Sequence, residues 1–155
     1  MSEESPRKKL NVSAIQNGTV IDHIESEATF KVADILEIED EENKVLVGMN
    51  LESQELGRKG IIKIENRRLT SDEVNKIAVV APRATLNIVS NFAVVEKSKV
   101  ELPERIERVV KCFNPRCITN QQDIETSFEV IGGSPPALRC AFCERTMRGR
   151  DILLK

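Results

Sequence analysis

Four cysteines carry the most legible chemistry in this 155-residue chain: Cys112, Cys117, Cys140 and Cys143 form two close pairs, C-x4-C and C-x2-C, separated by 22 residues. Two turns that each present a pair of thiolates can close around one tetrahedral ion, and zinc takes thiolate sulfur readily. Four thiolates fill its shell and leave no position for water or substrate, so the predicted site is structural and not catalytic. The same residues also allow two disulfides, which a reducing compartment disfavours, or an iron–sulfur centre, which accepts four cysteines as well. Four thiolates on a divalent ion leave a formal charge of about −2. Lys111, Arg116, Arg139 and Arg145 stand beside the ligands, where they would offset it.

Outside the cysteines the chemistry is sparse. His23 is the one histidine, and no phosphate-binding glycine loop, zinc-protease helix or nucleophile elbow is present. An enzyme needs an activated nucleophile, a tuned acid or base, or an open metal site, so the expectation is a binding or regulatory protein with no catalytic residue. Asp22 and His23 close the first β-type run, Lys59 and Lys63 lie around the strand after Gly60, and Lys97 ends the last run. Brought together, such groups hold phosphate through ammonium and hydroxyls through carboxylate; apart, they are ordinary solvated strand ends.

With 40% apolar and 31% charged residues and a net charge of −2, the chain should fold. Aromatics are 3%, with no Trp or Tyr, which removes the stacking platform of single-stranded nucleic-acid binders. The start, Met-Ser-Glu-Glu-Ser-Pro-Arg-Lys-Lys, has no apolar signal core, and no run approaches the roughly 20 apolar residues that span a bilayer. A cytoplasmic protein with no membrane or nucleic-acid partner is expected. Residues 1–103 hold 14 Lys and Arg against 18 Asp and Glu, whereas residues 104–155 hold 9 against 7 and all four cysteines. Two domains, 1–102 and 103–155, are therefore expected, with the boundary at Leu102-Pro103, where proline disfavours helix at the preceding residue.

The positioning elements follow from periodicity. Residues 10–24 read as two β-type runs around Asn17-Gly18, a hairpin signal that also fits a bulge in one bent strand. A helical run follows Ser26 through Ala28, Ala33, Ile35, Leu36 and Ile38, and the acidic cluster Glu39–Glu42 with Asn43 ends it as a solvated loop. Val45, Val47, Met49 and Leu51 alternate as a strand with one strongly buried face. Ile61–Ile64 is a strand after a turn around Gly57 and Gly60. Thr70 and Glu73 cap a helix whose stripe, Val74, Ile77, Ala78 and Ala81, ends at Pro82. Residues 84–90 and 92–97 are β-rich around the Ser90-Asn91 turn. The fold class is α+β: a ferredoxin-like β-α-β-β-α-β domain with one sheet face free to bind something, then a small all-β zinc-ribbon-like domain. In the latter, 126–131 and 137–139 are strands around the turn Gly132-Gly133-Ser134-Pro135-Pro136. About 52 residues are close to the size at which a core needs a metal staple.

Taken in order, Val12-Ser13-Ala14-Ile15, Gly18-Thr19-Val20-Ile21-Asp22-His23-Ile24, Gly57-Arg58-Lys59, Ile62-Lys63-Ile64-Glu65-Asn66, Leu102-Pro103-Glu104-Arg105-Ile106 and the two cysteine pairs resemble the regulatory chains of aspartate carbamoyltransferase. The likeness runs from about residue 10 to the C-terminus. It implies a non-catalytic subunit of pyrimidine biosynthesis that binds nucleoside triphosphates, CTP as inhibitor and ATP as activator, and one structural zinc ion. It implies a homodimer formed through the N-terminal domain and zinc domains that bridge to catalytic chains, in a dodecamer of two catalytic trimers and three regulatory dimers. By position, Asp22 engages the ribose, Lys63 the base and ribose, and Lys97 and His23 the phosphates. Ala14 and Ile15 read the base edge through their backbone, with Val12, Val20, Asn87, Ile88 and Val94 lining the pocket. Ser13 stands where the family often has a carboxylate and Phe92 where it can have Tyr. Cys112, Cys117, Cys140 and Cys143 match the four zinc ligands. The alternative is a zinc-ribbon nucleic-acid-binding protein, favoured by Arg145, Arg148 and Arg150 and opposed by the acidic first half and the few aromatics.

Overall fold

The computed structural model describes residues 14–132 and 136–155, with only the backbone of Arg150. Residues 10–13 of the expected hairpin, Val12 and Ser13 among them, and Gly133-Ser134-Pro135 lie outside the described residues. Packing divides the chain into two compact units, one formed by residues up to Thr70 with Arg83–Val100, the other by Ser71–Pro82 with Glu101–Lys155. This division differs from a cut along the sequence at Pro103 by one helical segment.

In the first unit, β1 (Gly18–Glu25) is followed by a 3-10 turn (Ser26–Ala28) and α1 (Thr29–Ile35). Then come a second 3-10 turn (Ile38–Asp40), β2 (Val45–Ser53), β3 (Gly57–Glu65), and, beyond the segment that holds α2 (Ser71–Val80), β4 (Thr85–Ser90) and β5 (Ala93–Lys99). The antiparallel sheet runs β2-β3-β1-β4-β5, so the first four strands have the split βαβ order and β5 extends the sheet. β1 is central, with Thr19 and Ile21 fully buried.

Four local expectations change. Among the described residues no strand precedes Gly18; Gln16 and Asn17 instead accept backbone hydrogen bonds from Phe92 and Asn66, and Gly18 opens β1 at φ 145°. β2 is an edge strand without a strongly buried face, Val47 being 40% exposed, because an edge strand has one neighbour and its pairing with β3 shifts between Gly48 and Leu51. The acidic cluster is not merely a solvated loop: Arg67 Nη1 donates to Leu36 O and to Glu41 Oε1, each at 2.8 Å. Asn43 backbone and side-chain N–H groups, then Arg67, hold the Glu41 carboxyl below its ordinary range. Gly60 lies inside β3 rather than in a turn, and any Cβ there would run into Thr29 Oγ1, itself buried and donating to Ser26 O.

The second unit holds α2, β6 (Arg105–Glu107), β7 (Val110–Lys111), the single helical turn α3 (Ile118–Gln121), β8 (Ser127–Ile131), β9 (Ala137–Cys140), β10 (Thr146–Arg148) and β11 (Leu153–Leu154). A four-stranded sheet runs β10-β9-β8-β6, and β11 pairs with β7. Ile106, Val109, Val110, Phe128, Leu138 and Met147 form its core together with three of the cysteines, and Val79 of α2 packs against it. The same helix places Asp72 Oδ1 3.4 Å from Arg108 Nη2. Among the described residues no helix is long and apolar enough to cross a membrane.

Gly60→Ala should destabilise the first unit by about 1–3 kcal/mol through overpacking at Thr29, read as a lower urea midpoint with an unchanged slope.

Candidate functional site

The two cysteine pairs are carried by different elements. Cys112 follows β7 and Cys117 precedes α3, while Cys140 ends β9 and Cys143 lies in the turn before β10. This brings the four Sγ atoms within 4.8 Å of one another. Cys112 Sγ lies 3.6 Å from Cys143 Sγ, and Cys117 Sγ lies 3.7 Å from Cys140 Sγ. All four are free cysteines. Sulfurs held about 2.3 Å from one central ion define a tetrahedron with edges of about 3.8 Å, so the donor set fits a single four-coordinate metal. An iron–sulfur cluster interposes several atoms between its thiolates and would spread them further.

Burial supplies the reason a cation is needed. It pushes the Cys112 and Cys140 thiols up from their ordinary range. At Cys143 burial also acts upward, but the Arg145 backbone and then Asn114, Cys112 and Cys140 outweigh it and bring the thiol to about 7. A bound divalent ion ionises such thiols outright. Of the flanking cations, Arg139 pairs with Glu129 on the adjacent strand.

The second candidate is a cavity of about 370 Å³ on one face of the first sheet. Strand register builds it: Val20 pairs with Lys63 on β3 and with Asn87 on β4, and Asn87 pairs with Lys97 on β5. These four residues share one row across the sheet, and Asp22 is two residues along β1 on the same side. All five line the cavity, with Ala14, Ile15 and Val94. Asp22 Oδ1 accepts a 2.6 Å hydrogen bond from the His23 backbone and lies 2.9 Å from Lys59 Nζ. Burial lowers the Lys63 ammonium from its ordinary value, and the Asp22 charge opposes the shift. A half-buried lysine beside an exposed one and a carboxylate makes a polar end for an anionic ligand, while Ile15, Val20 and Val89 supply an apolar end.

Two residues expected here are placed elsewhere. His23 sits at a bulge, at φ 56°, where the β1–β3 pairing shifts. Its Nδ1 is 3.2 Å from Thr85 Oγ1 and its Nε2 3.5 Å from Glu55, so the ring is not on the cavity wall. Ile88 lies between Asn87 and Val89 and faces the other side of the sheet. Ile61 and Val89 line the cavity without having been expected, and Phe92, the position where the resembling chains can have Tyr, lines it too. Period-two spacing from Lys63 and Asn87 would have found the first two. Phe92 carries no such signal, because it occupies the β4–β5 turn at φ 67°, beside Asn91 at φ 55°.

The family described as aspartate carbamoyltransferase regulatory chain, allosteric domain, matches residues 10–101, and its metal binding domain matches residues 104–153. The chain is 53% identical over 146 residues to the aspartate carbamoyltransferase regulatory chain of Thermococcus sibiricus, covering 94% of this chain and 97% of that one. It is 52% identical over 147 residues to that of Pyrococcus horikoshii, with 94% and 97% covered. It is 43% identical over 154 residues to that of Bacteroides fragilis, with 99% of each covered.

Cys140→Ser should lower the bound divalent metal from one ion per chain to nearly none after dialysis against a chelator, measured by elemental analysis. The second unit should lose its dispersed amide resonances in the same sample, because metal binding supplies folding free energy to a unit this small.

Proposed function

The chain belongs to the family of aspartate carbamoyltransferase regulatory chains, and we propose that it binds nucleoside triphosphates in the first-unit cavity and passes their occupancy to catalytic chains through a zinc-held second unit. A regulatory chain is the non-catalytic subunit of its enzyme. The observation that carries the reading is the row Lys63–Val20–Asn87–Lys97 beside Asp22, which sets two ammonium groups and a carboxylate around one cavity. In this reading Lys97 meets the phosphates, Lys63 the base and ribose, Asp22 accepts from the ribose hydroxyls, and the backbone of Ala14 and Ile15 reads the base edge. His23 acts through its backbone N–H, which orients the Asp22 carboxylate.

Zinc is the proposed ion because a closed set of four thiolates in a tetrahedron suits its coordination preference. Docking of the second unit on a catalytic chain is supported by Ile118 and Phe142, apolar and exposed beside the ligands Cys117 and Cys143. Homodimerisation through the first unit is supported by β5, whose seven residues are all exposed and include Val94 and Val95. A long aliphatic edge strand is a template for pairing with another chain, and a second copy closes the pairing with two-fold symmetry. The remaining terms are CTP as inhibitor, ATP as activator, control of pyrimidine biosynthesis in the cytoplasm, and a dodecamer of two catalytic trimers and three regulatory dimers. They rest on the family's likeness. Family membership favours this reading over the nucleic-acid-binding alternative.

Control then follows from linkage. A nucleotide shifts the enzyme between low- and high-activity arrangements only by the difference in its affinity for the two, typically worth about 1–3 kcal/mol. CTP and ATP share one cavity and differ in base size, so opposite signs require only opposite preferences between those arrangements.

Calorimetric titration with CTP should give at least tenfold weaker binding to Lys97→Ala than to the wild-type chain; equal affinities would remove Lys97 from the phosphate role. In a complex reconstituted with catalytic chains, CTP should shift the aspartate saturation curve. Superimposable curves with and without nucleotide would contradict the regulatory reading.

A further inference from the structure

Each metal-site sulfur is supported by a hydrogen-bond donor, and three of the donors are alike. Cys112 accepts from the backbone of Asn114, Cys140 from the backbone N–H of Phe142 at 3.4 Å, and Cys143 from the backbone of Arg145. In all three one donor is the peptide two residues beyond the ligand, the geometry of a turn folded around its own sulfur; Cys140 accepts also from the backbone of Cys143, and Cys143 is also hydrogen-bonded to the Asn114 side chain. At Cys117 the chain passes directly into α3, and Asn120 N is bonded back to Cys117 O at 2.8 Å. There the donor two residues on is a side chain: Thr119 Oγ1 lies 3.1 Å from Cys117 Sγ, and Thr119 is buried. A metal-bound thiolate carries no proton, so in the loaded site the hydroxyl must be the donor.

We infer that Thr119 is a positioning residue of the metal centre, its hydroxyl replacing at Cys117 the backbone N–H that stabilises the other three thiolates. The inference rests on the reading of the cysteine tetrad as the metal site. Its physical basis is the site's formal charge of about −2 in a buried position, which only local dipoles and cations offset. Each donor to a thiolate withdraws electron density from sulfur and fixes the direction of its lone pairs. Partners of this kind are typically worth 10–100-fold in metal affinity. Cys117 is 2% exposed, so water cannot take over a lost hydrogen bond there.

The test uses the full-length chain loaded with zinc or with cobalt(II), and the variants Thr119→Val, Thr119→Ala and Thr119→Ser. Val keeps the shape and removes the hydroxyl, Ala removes both, and Ser keeps the hydroxyl alone. Zinc transfer to a chromogenic chelator should be 10–100-fold faster for Val and Ala and within about threefold of wild type for Ser. In the cobalt forms the sulfur-to-metal charge-transfer band should move to lower energy in Val and Ala and stay in place in Ser. Loss in Ser equal to that in Ala, or an unmoved band in Val and Ala, would overturn the inference. A wild-type chain that binds no ion would instead overturn the metal-site reading beneath it.

Discussion

Four sulfur atoms in one small buried volume are the constraint on which the second unit depends. Burial pushes the Cys112 and Cys140 thiols up from their ordinary range, so without a cation these positions resist ionising. A cation at their centre changes the balance, since it ionises the thiols and joins four points of the chain that lie as far apart as Cys112 and Cys143. The apolar core of Ile106, Phe128, Leu138 and Met147 packs directly around these residues. In a segment of about 52 residues such a core is marginal without a staple. The strands that form it are correspondingly short, β7 and β11 having two residues each.

The first unit solves a different problem by different means. Its central strand buries Thr19 and Ile21 on one face, while Val20 and Asp22 on the other line the cavity. Alternation along β3, β4 and β5 sets Lys63, Asn87 and Lys97 on that same cavity face without any loop supplying them. Regular backbone places polar groups more rigidly than loops do. The Lys59–Asp22 pair shows how charge is managed beside the cavity: the carboxylate is held by a lysine that is not part of the cavity lining.

Much of this was legible in the residues. The cysteine spacing predicted the tetrad because metal geometry depends on ligand type and pairing more than on fold. Alternation and capping placed α2, β3 and β4, and the strand order followed. What escaped were features set by neighbours rather than by local pattern. β2 looks like a core strand and lies at an edge. Asp22-His23 looks like strand continuation, yet a bulge turns the imidazole to Thr85 and Glu55. Gly60 reads as a turn residue, whereas its function is to let Thr29 approach. Phe92 enters the cavity from a left-handed turn position that sequence preference assigns to glycine.

The central claim is that one ion is held by sulfur alone, and X-ray absorption on the purified full-length chain tests it most directly. The account predicts a zinc edge with four sulfur scatterers at about 2.3 Å and no lighter ligand. A nitrogen or oxygen atom in the first shell, or an iron edge with a metal–metal vector, would contradict it.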